Sequence, residues 1–137
     1  DASITATDTA WLVTLQDVAT DGSAIDVTAG WLRAALREVD EEASEPGAPK
    51  LRADNPLAVV PGAKTRYRIP LVSTARRFAQ GHRLRVVVAS DDVSAGTPAI
   101  MGFHHQSPVM QSTNTVWATS VLRLPILHTD PEGSRDT

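Results

Sequence analysis

Apolar and polar positions alternate along this chain in short runs, and turn-forming residues break the runs at brief intervals. Between Trp11 and Val18, the residues Trp11, Val13 and Leu15 share one face while Leu12, Thr14 and Gln16 share the other. A period of two marks a strand, because successive side chains leave a pleated backbone on opposite sides. Arg83 to Ala89 reads the same way, with Leu84, Val86 and Val88 on one face and Arg85, Val87 and Ala89 on the other. Thr65 to Val72 sets Tyr67, Ile69 and Leu71 against Arg66, Arg68 and Pro70, which predicts a half-buried strand. Pro70 lacks an amide proton and so places that strand at an edge or a bulge.

Weaker signals fill the intervals. Ser3 to Thr7 is a short polar strand candidate, and Ala24 to Thr28 resumes a strand after the turn Thr20-Asp21-Gly22-Ser23. Trp31 to Asp40 is ambiguous on local grounds: Leu32, Leu36 and Val39 have helical spacing, and Ala34 to Glu38 are helix formers. Glu41 to Asn55, polar and holding Pro46, Gly47 and Pro49, reads as an exposed loop. Pro61-Gly62 is a turn, Ser73 to Ala79 has room for one helical turn, and Asp91 to Met110 is a long irregular stretch. Thr115 to Trp117 and Val121 to Leu127 are expected as the last two strands. His128 to Thr137 is a polar tail, expected to be disordered.

Composition supports the strand reading. Val, Thr and Ile supply 33 of 137 residues, and branching at Cβ suits a pleated surface. Many short strands separated by Gly and Pro point to an all-β sandwich or barrel. The length fits one domain, here assigned to residues 1–127 with 128–137 as its tail. A net charge of -3 argues against a nucleic-acid partner, which requires a clustered basic excess. With no cysteine, disulfides, thiolate metal sites and Cys nucleophiles are excluded. No secretory leader or membrane span is visible, and a cytoplasmic setting is expected. The chain does not start with Met and reads as a domain or processed piece of a longer protein.

The search for chemistry yields little. No Gly-x-Ser-x-Gly elbow is present to expose a nucleophile, and Gly22-Ser23 and Gly133-Ser134 lack the second glycine. His104-His105 is the one histidine cluster; adjacent strand residues point apart, so a loop pair bonding locally is preferred to a metal site. His82 and His128 stand alone. Asp91-Asp92 lacks the further acidic and glycine positions of a calcium loop and reads as a turn. Arg76, Arg77, Arg83 and Arg85 form a basic cluster in sequence, read as a solvated surface rather than a docking site. Trp11, Trp31 and Trp117 would suit a sugar-stacking platform only if they converged, and core or interface positions are expected instead. No catalytic, cofactor-binding or metal-ligating residue is assigned, and no cofactor is expected.

Two blocks carry a family resemblance. Asp8-Thr9-Ala10-Trp11-Leu12-Val13-Thr14-Leu15-Gln16-Asp17-Val18, with Asp21-Gly22 and Thr28-Ala29-Gly30-Trp31-Leu32-Arg33-Ala34, forms the first. The second runs from Pro61-Gly62 through Tyr67-Arg68-Ile69-Pro70-Leu71, Thr74 and Phe78 to Gly81-His82-Arg83-Leu84-Arg85 and Ser90. Asn114-Thr115-Val116 and Leu122-Arg123-Leu124-Pro125-Ile126 close it. Together these resemble the C-terminal domain of the X-Pro dipeptidyl-peptidase / cocaine-esterase (CocE/NonD) serine hydrolases. The resemblance implies a jelly-roll β-sandwich, galactose-binding-like, that is itself non-catalytic. It implies a partner: an α/β-hydrolase domain of the same parent, carrying a Ser-Asp-His triad, whose active site the sandwich helps to wall. It also implies that Trp31 to Arg37 is a strand and that His82 orients a tight connection before a central strand.

This sequence departs from the family in having Ala10 where Asp is common, and in beginning after the family's first strands. A sandwich short of those strands is expected to self-associate, or else to be stable only as part of a longer or cleaved protein whose remaining segment stays bound, with Ser3–Thr7 or Trp11–Val18 as the open edge. An independent carbohydrate- or ligand-binding module and an oligomerisation domain are the alternative functions.

Overall fold

The structure is a computed structural model and describes residues 1–90 and 111–127. It holds seven strands: β1 (Ala2–Ile4), β2 (Ala10–Val18), β3 (Ala24–Arg33), β4 (Val39–Glu45), β5 (Ala48–Leu51), β6 (Arg83–Ala89) and β7 (Asn114–Val116). Among the described residues there is no α-helix, only a 3₁₀ turn at Ala34–Leu36. The strands form three antiparallel sheets, ordered β3-β2-β6, β1-β7 and β4-β5. The sheets do not close, and the architecture is that of an all-β sandwich domain.

The alternation in β2 sets its burial. Trp11, Leu15 and Asp17 are buried on one side of the sheet, while Leu12, Thr14 and Gln16 are half-buried on the other. The turn joining β2 to β3 is closed by Ala19 N donating to Ser23 O at 2.8 Å, and the Asp21 carboxylate accepts from the Ser23 amide and hydroxyl. Gly22 sits at φ +90, where side-chain-bearing residues are strained. Leu15 pairs with Thr28 but Gln16 pairs with Asp26, so Val27 is an extra residue on β3, a bulge that bends the strand.

The best-packed region lies between this sheet and β1. Ala2, Ile4, Trp11 and Ala34 form a buried cluster, with Val59, Tyr67 and Ile69 packed against it. The Trp11 and Tyr67 rings meet at 5.4 Å and 50°. Fully burying a side chain such as Ile4 contributes about 1.5–3 kcal/mol.

Asp8 organises the chain end of β3. Its Oδ1 accepts from the amides of Thr9 and Ala35, both at 3.0 Å, and its Oδ2 accepts from Arg33 Nε at 2.5 Å. That carboxylate stops the extended run and caps the 3₁₀ turn. Trp31 to Arg37 is therefore extended only as far as Arg33, and the strand expected across the whole segment gives way to a turn at Ala34. Arg37 then donates to the carbonyls of Ala34, Leu57 and Ala58, fixing the later segment beside the turn.

Four further expectations are corrected. Glu41 to Asn55 is not all loop: most of it forms the β4-β5 hairpin, turned at Pro46-Gly47 with Gly47 at φ +81. Thr65 to Val72 keeps the expected alternation, with Tyr67, Ile69 and Leu71 half-buried between exposed Arg66 and Arg68. It joins no named strand, because beyond the Ala2–Thr65 bridge it meets its neighbours by isolated bonds. Ser73 to Ala79 forms no helical turn. Val121 to Leu127 forms no strand, and Val121, Ile126 and Leu127 are exposed.

The open edge also differs from expectation. β2 is the middle strand of its sheet, and β1 is bonded to β7 on one side and bridged to Thr65 on the other. The outer side of β3 is lined by the chain near Pro70: Val72 N donates to Ala29 O at 2.9 Å and Thr28 Oγ1 donates to Val72 O at 2.5 Å. A Cβ at Gly30 would lie 2.1 Å from the Pro70 carbonyl oxygen, so only glycine admits that approach. β6, expected as a central strand, is the outermost strand of its sheet.

Candidate functional site

The described residues bring one acid, one base and one cation together in a single polar cluster. Asp17, the last residue but one of β2, is 2% exposed. Its Oδ2 accepts two bonds from Arg76, from Nε at 3.0 Å and Nη2 at 2.8 Å, and its Oδ1 lies 2.6 Å from His82 Nδ1. The sequence places these groups far apart, and the fold joins them. Arg76 comes from the irregular connection before β6. His82 follows a tight turn in which its amide donates to Ala79 O and Gly81 sits at φ +85.

The charges decide the protonation at this contact. The Arg76 guanidinium, aided by His82, holds the Asp17 carboxyl below the usual carboxylate range against the opposing effect of burial. An ionised carboxylate only accepts, so His82 Nδ1 carries the proton and donates it. An Asp holding a His through Nδ1 is the orienting half of a hydrolytic triad. The other half is missing among the described residues. The hydroxyl of Ser23, in the nearby turn, donates to Asp21 Oδ1 at 2.7 Å. Arg76 also engages the second Asp17 oxygen, which makes Asp17 the buried anchor of two chain segments. The chemistry available here is charge-assisted fastening of residues 76–82 to β2.

The other sequence candidates disperse. Arg76 turns inward to Asp17, while Arg85 donates to Gln16 Oε1 at 3.4 Å and Gln16 in turn donates to Asp26 at 2.7 Å. The four arginines therefore do not make one basic patch. Trp11 pairs with Leu32 and Trp31 with Leu12, so the two indoles lie on opposite faces of the sheet. Trp117 stands after β7 with Lys64 Nζ 4.8 Å over its ring. No single platform holds Trp11 and Trp31. Asp91, Asp92, His104, His105, His128 and Ser134 lie outside the described residues.

Among the described residues no group of three His, Asp or Glu side chains is placed to hold a metal ion, and no helix is long and apolar enough to cross a membrane. Sequence reasoning singled out His82 and Arg76 separately but missed Asp17 as their common partner. Its only signal was a carboxylate on the apolar side of an alternating strand, at a position the pattern reserves for the core.

No curated protein and no solved structure gives a significant match to the chain. Residues 1–101 match the family model of the X-Pro dipeptidyl-peptidase C-terminal non-catalytic domain, a span that includes β1 to β6 and the whole Asp17 cluster. The chain belongs to the family of X-Pro dipeptidyl-peptidase C-terminal non-catalytic domains.

Proposed function

We propose that this chain is the accessory β-sandwich of a serine hydrolase in the X-Pro dipeptidyl-peptidase and acyl-esterase group, where it packs on an α/β-hydrolase catalytic domain and helps to wall the active site. The family match over residues 1–101 carries this reading. The Asp17 cluster supports it, since the one Asp–His pair among the described residues is committed to a guanidinium and serves the fold. In this role the sandwich contributes shape and rigidity, and the catalytic domain contributes the nucleophile. Its partner is that catalytic domain, and its setting is the cytoplasm.

The test is turnover. The purified chain is expected to hydrolyse neither a p-nitrophenyl ester nor an X-Pro nitroanilide above buffer. Turnover that disappears in Ser23→Ala or His82→Ala would overturn the proposal.

A further inference from the structure

The chain crosses from the β3 side of the three-stranded sheet to β6 with little to hold it. The crossing starts at Val72, whose amide donates to Ala29 O, and ends at Ala79, whose carbonyl accepts from His82 N. Between them, among the described residues, the backbone of residues 73–78 makes no hydrogen bond. Ser73 to Arg77 and Ala79 to Gly81 are exposed, and Phe78 is half-buried. One side chain ties the run down, Arg76 on Asp17.

Arg77 lies in this run and differs from the other cations. Every other Lys and Arg of residues 1–90 either belongs to a paired strand, as Arg83 does in β6, or is bonded through its side chain, as Arg37 is to three carbonyls and Arg68 to Glu41. The Arg77 guanidinium has no such partner among the described residues. Exposed, unpaired backbone is where proteases nick a folded chain. A trypsin-type protease also needs an arginine side chain free to enter a pocket that ends in a carboxylate. Arg76 already spends its guanidinium on Asp17, so the bond that meets both conditions is the one after Arg77. Arg123 is also exposed, but it lies beyond β7, and a cut there divides no sheet.

We propose that the Arg77–Phe78 peptide bond is a processing site for an arginine-specific serine protease, and that the cut domain persists as two chains held together without a covalent link. Water is added across the bond, leaving a carboxylate on Arg77 and an ammonium on Phe78. The fold spans the cut. β2 stays paired with β6 from Leu12–Ala89 to Val18–Arg83, and β1 stays paired with β7. Asp17 holds Arg76 on one side of the break and His82 on the other. The proposal is independent of the hydrolase partnership, because it rests on this crossing and not on the parent enzyme.

The test is limited digestion of the full 137-residue chain with trypsin, followed by mass spectrometry at early times. The first cut within residues 1–90 should create a new N-terminus at Phe78. The two fragments should separate in denaturing gels but run together on native size-exclusion. Arg77→Gln should leave residues 1–90 intact over the same period, because the neighbouring Arg76 is engaged by Asp17. Asp8→Ala, destabilised elsewhere, should be cut after Arg77 at the unsubstituted rate, whereas a cut that required global unfolding would quicken roughly fivefold. A first cut elsewhere in residues 1–90 overturns the proposal. So do fragments that part on native size-exclusion, an Arg77→Gln chain cut as fast after Arg76, and a rate that rises in Asp8→Ala. Digestion of the unsubstituted chain decides the question even if a variant misfolds.

Discussion

Asp17 Oδ1 lies 2.6 Å from His82 Nδ1, joining the buried end of β2 to the residue that precedes β6. The carboxylate is the fixed point of this contact, because Arg76 holds its other oxygen and keeps it ionised.

That arrangement predicts an acid-sensitive fold. The carboxyl is lowered in the folded state, so its stabilisation is fully present above the unfolded value of about 4 and disappears as pH falls through the lower folded value. Urea midpoints of the chain should be level above pH 5 and fall steeply in acid. Asp17→Asn should be less stable at pH 7 and show a shallower acid limb. Parallel acid limbs for the two proteins would show that Asp17 does not carry the effect.

Gly30→Ala should loosen the lining of β3. The new methyl meets the Pro70 backbone, which cannot swing aside as a side chain can, and overpacking of this kind costs about 1–3 kcal/mol. Hydrogen exchange at the Val72 amide, bonded to Ala29 O, should rise with the loss of stability. Gly22→Ala, whose Cβ would meet nothing within 4 Å, should lower stability through backbone strain alone and leave Val72 protected.

Asp8→Ala should cost about 1 kcal/mol, the ordinary loss for a carboxylate cap on backbone amides. Asp8→Asn should recover most of it, because an amide oxygen still accepts from Thr9 and Ala35 while the bond to exposed Arg33 is worth little. Chemical denaturation distinguishes the two. Equal losses would place the energy in the ion pair instead.

What the sequence displayed and what it concealed follow from range. β2, β6 and the Asp21-Gly22 turn were legible because a period of two and a glycine turn are local facts. The β4-β5 hairpin was hidden: Asp40, Glu41, Glu42 and Glu45 give it no apolar face, so nothing in hydropathy marked it as paired. The end of β3 at Arg33 depended on Asp8, twenty-five residues earlier. The family resemblance extended that strand to Arg37, and a single carboxylate bonded to Ala35 limited it. The Asp17 cluster was invisible for the same reason, since its three members span residues 17 to 82 and only folding sets them side by side. Asp91 to Met110, where the sequence offered its paired histidines and aspartates, lies outside the described residues.

The β4-β5 hairpin turns at Pro46 and Gly47, both exposed, with exposed Glu45 and Ala48 beside them and no core side chain at the tip. For anyone wishing to splice foreign sequence into this protein, that tip is the natural port of entry. Lengthening a surface loop adds only about 0.6 kcal/mol for each doubling, and no buried backbone bond is lost there. An epitope of eight or so residues inserted between Pro46 and Gly47, a little over two doublings, should cost about 1.4 kcal/mol, lower the urea midpoint only modestly and remain open to antibody, whereas the same insert between Gly30 and Trp31 should abolish folding.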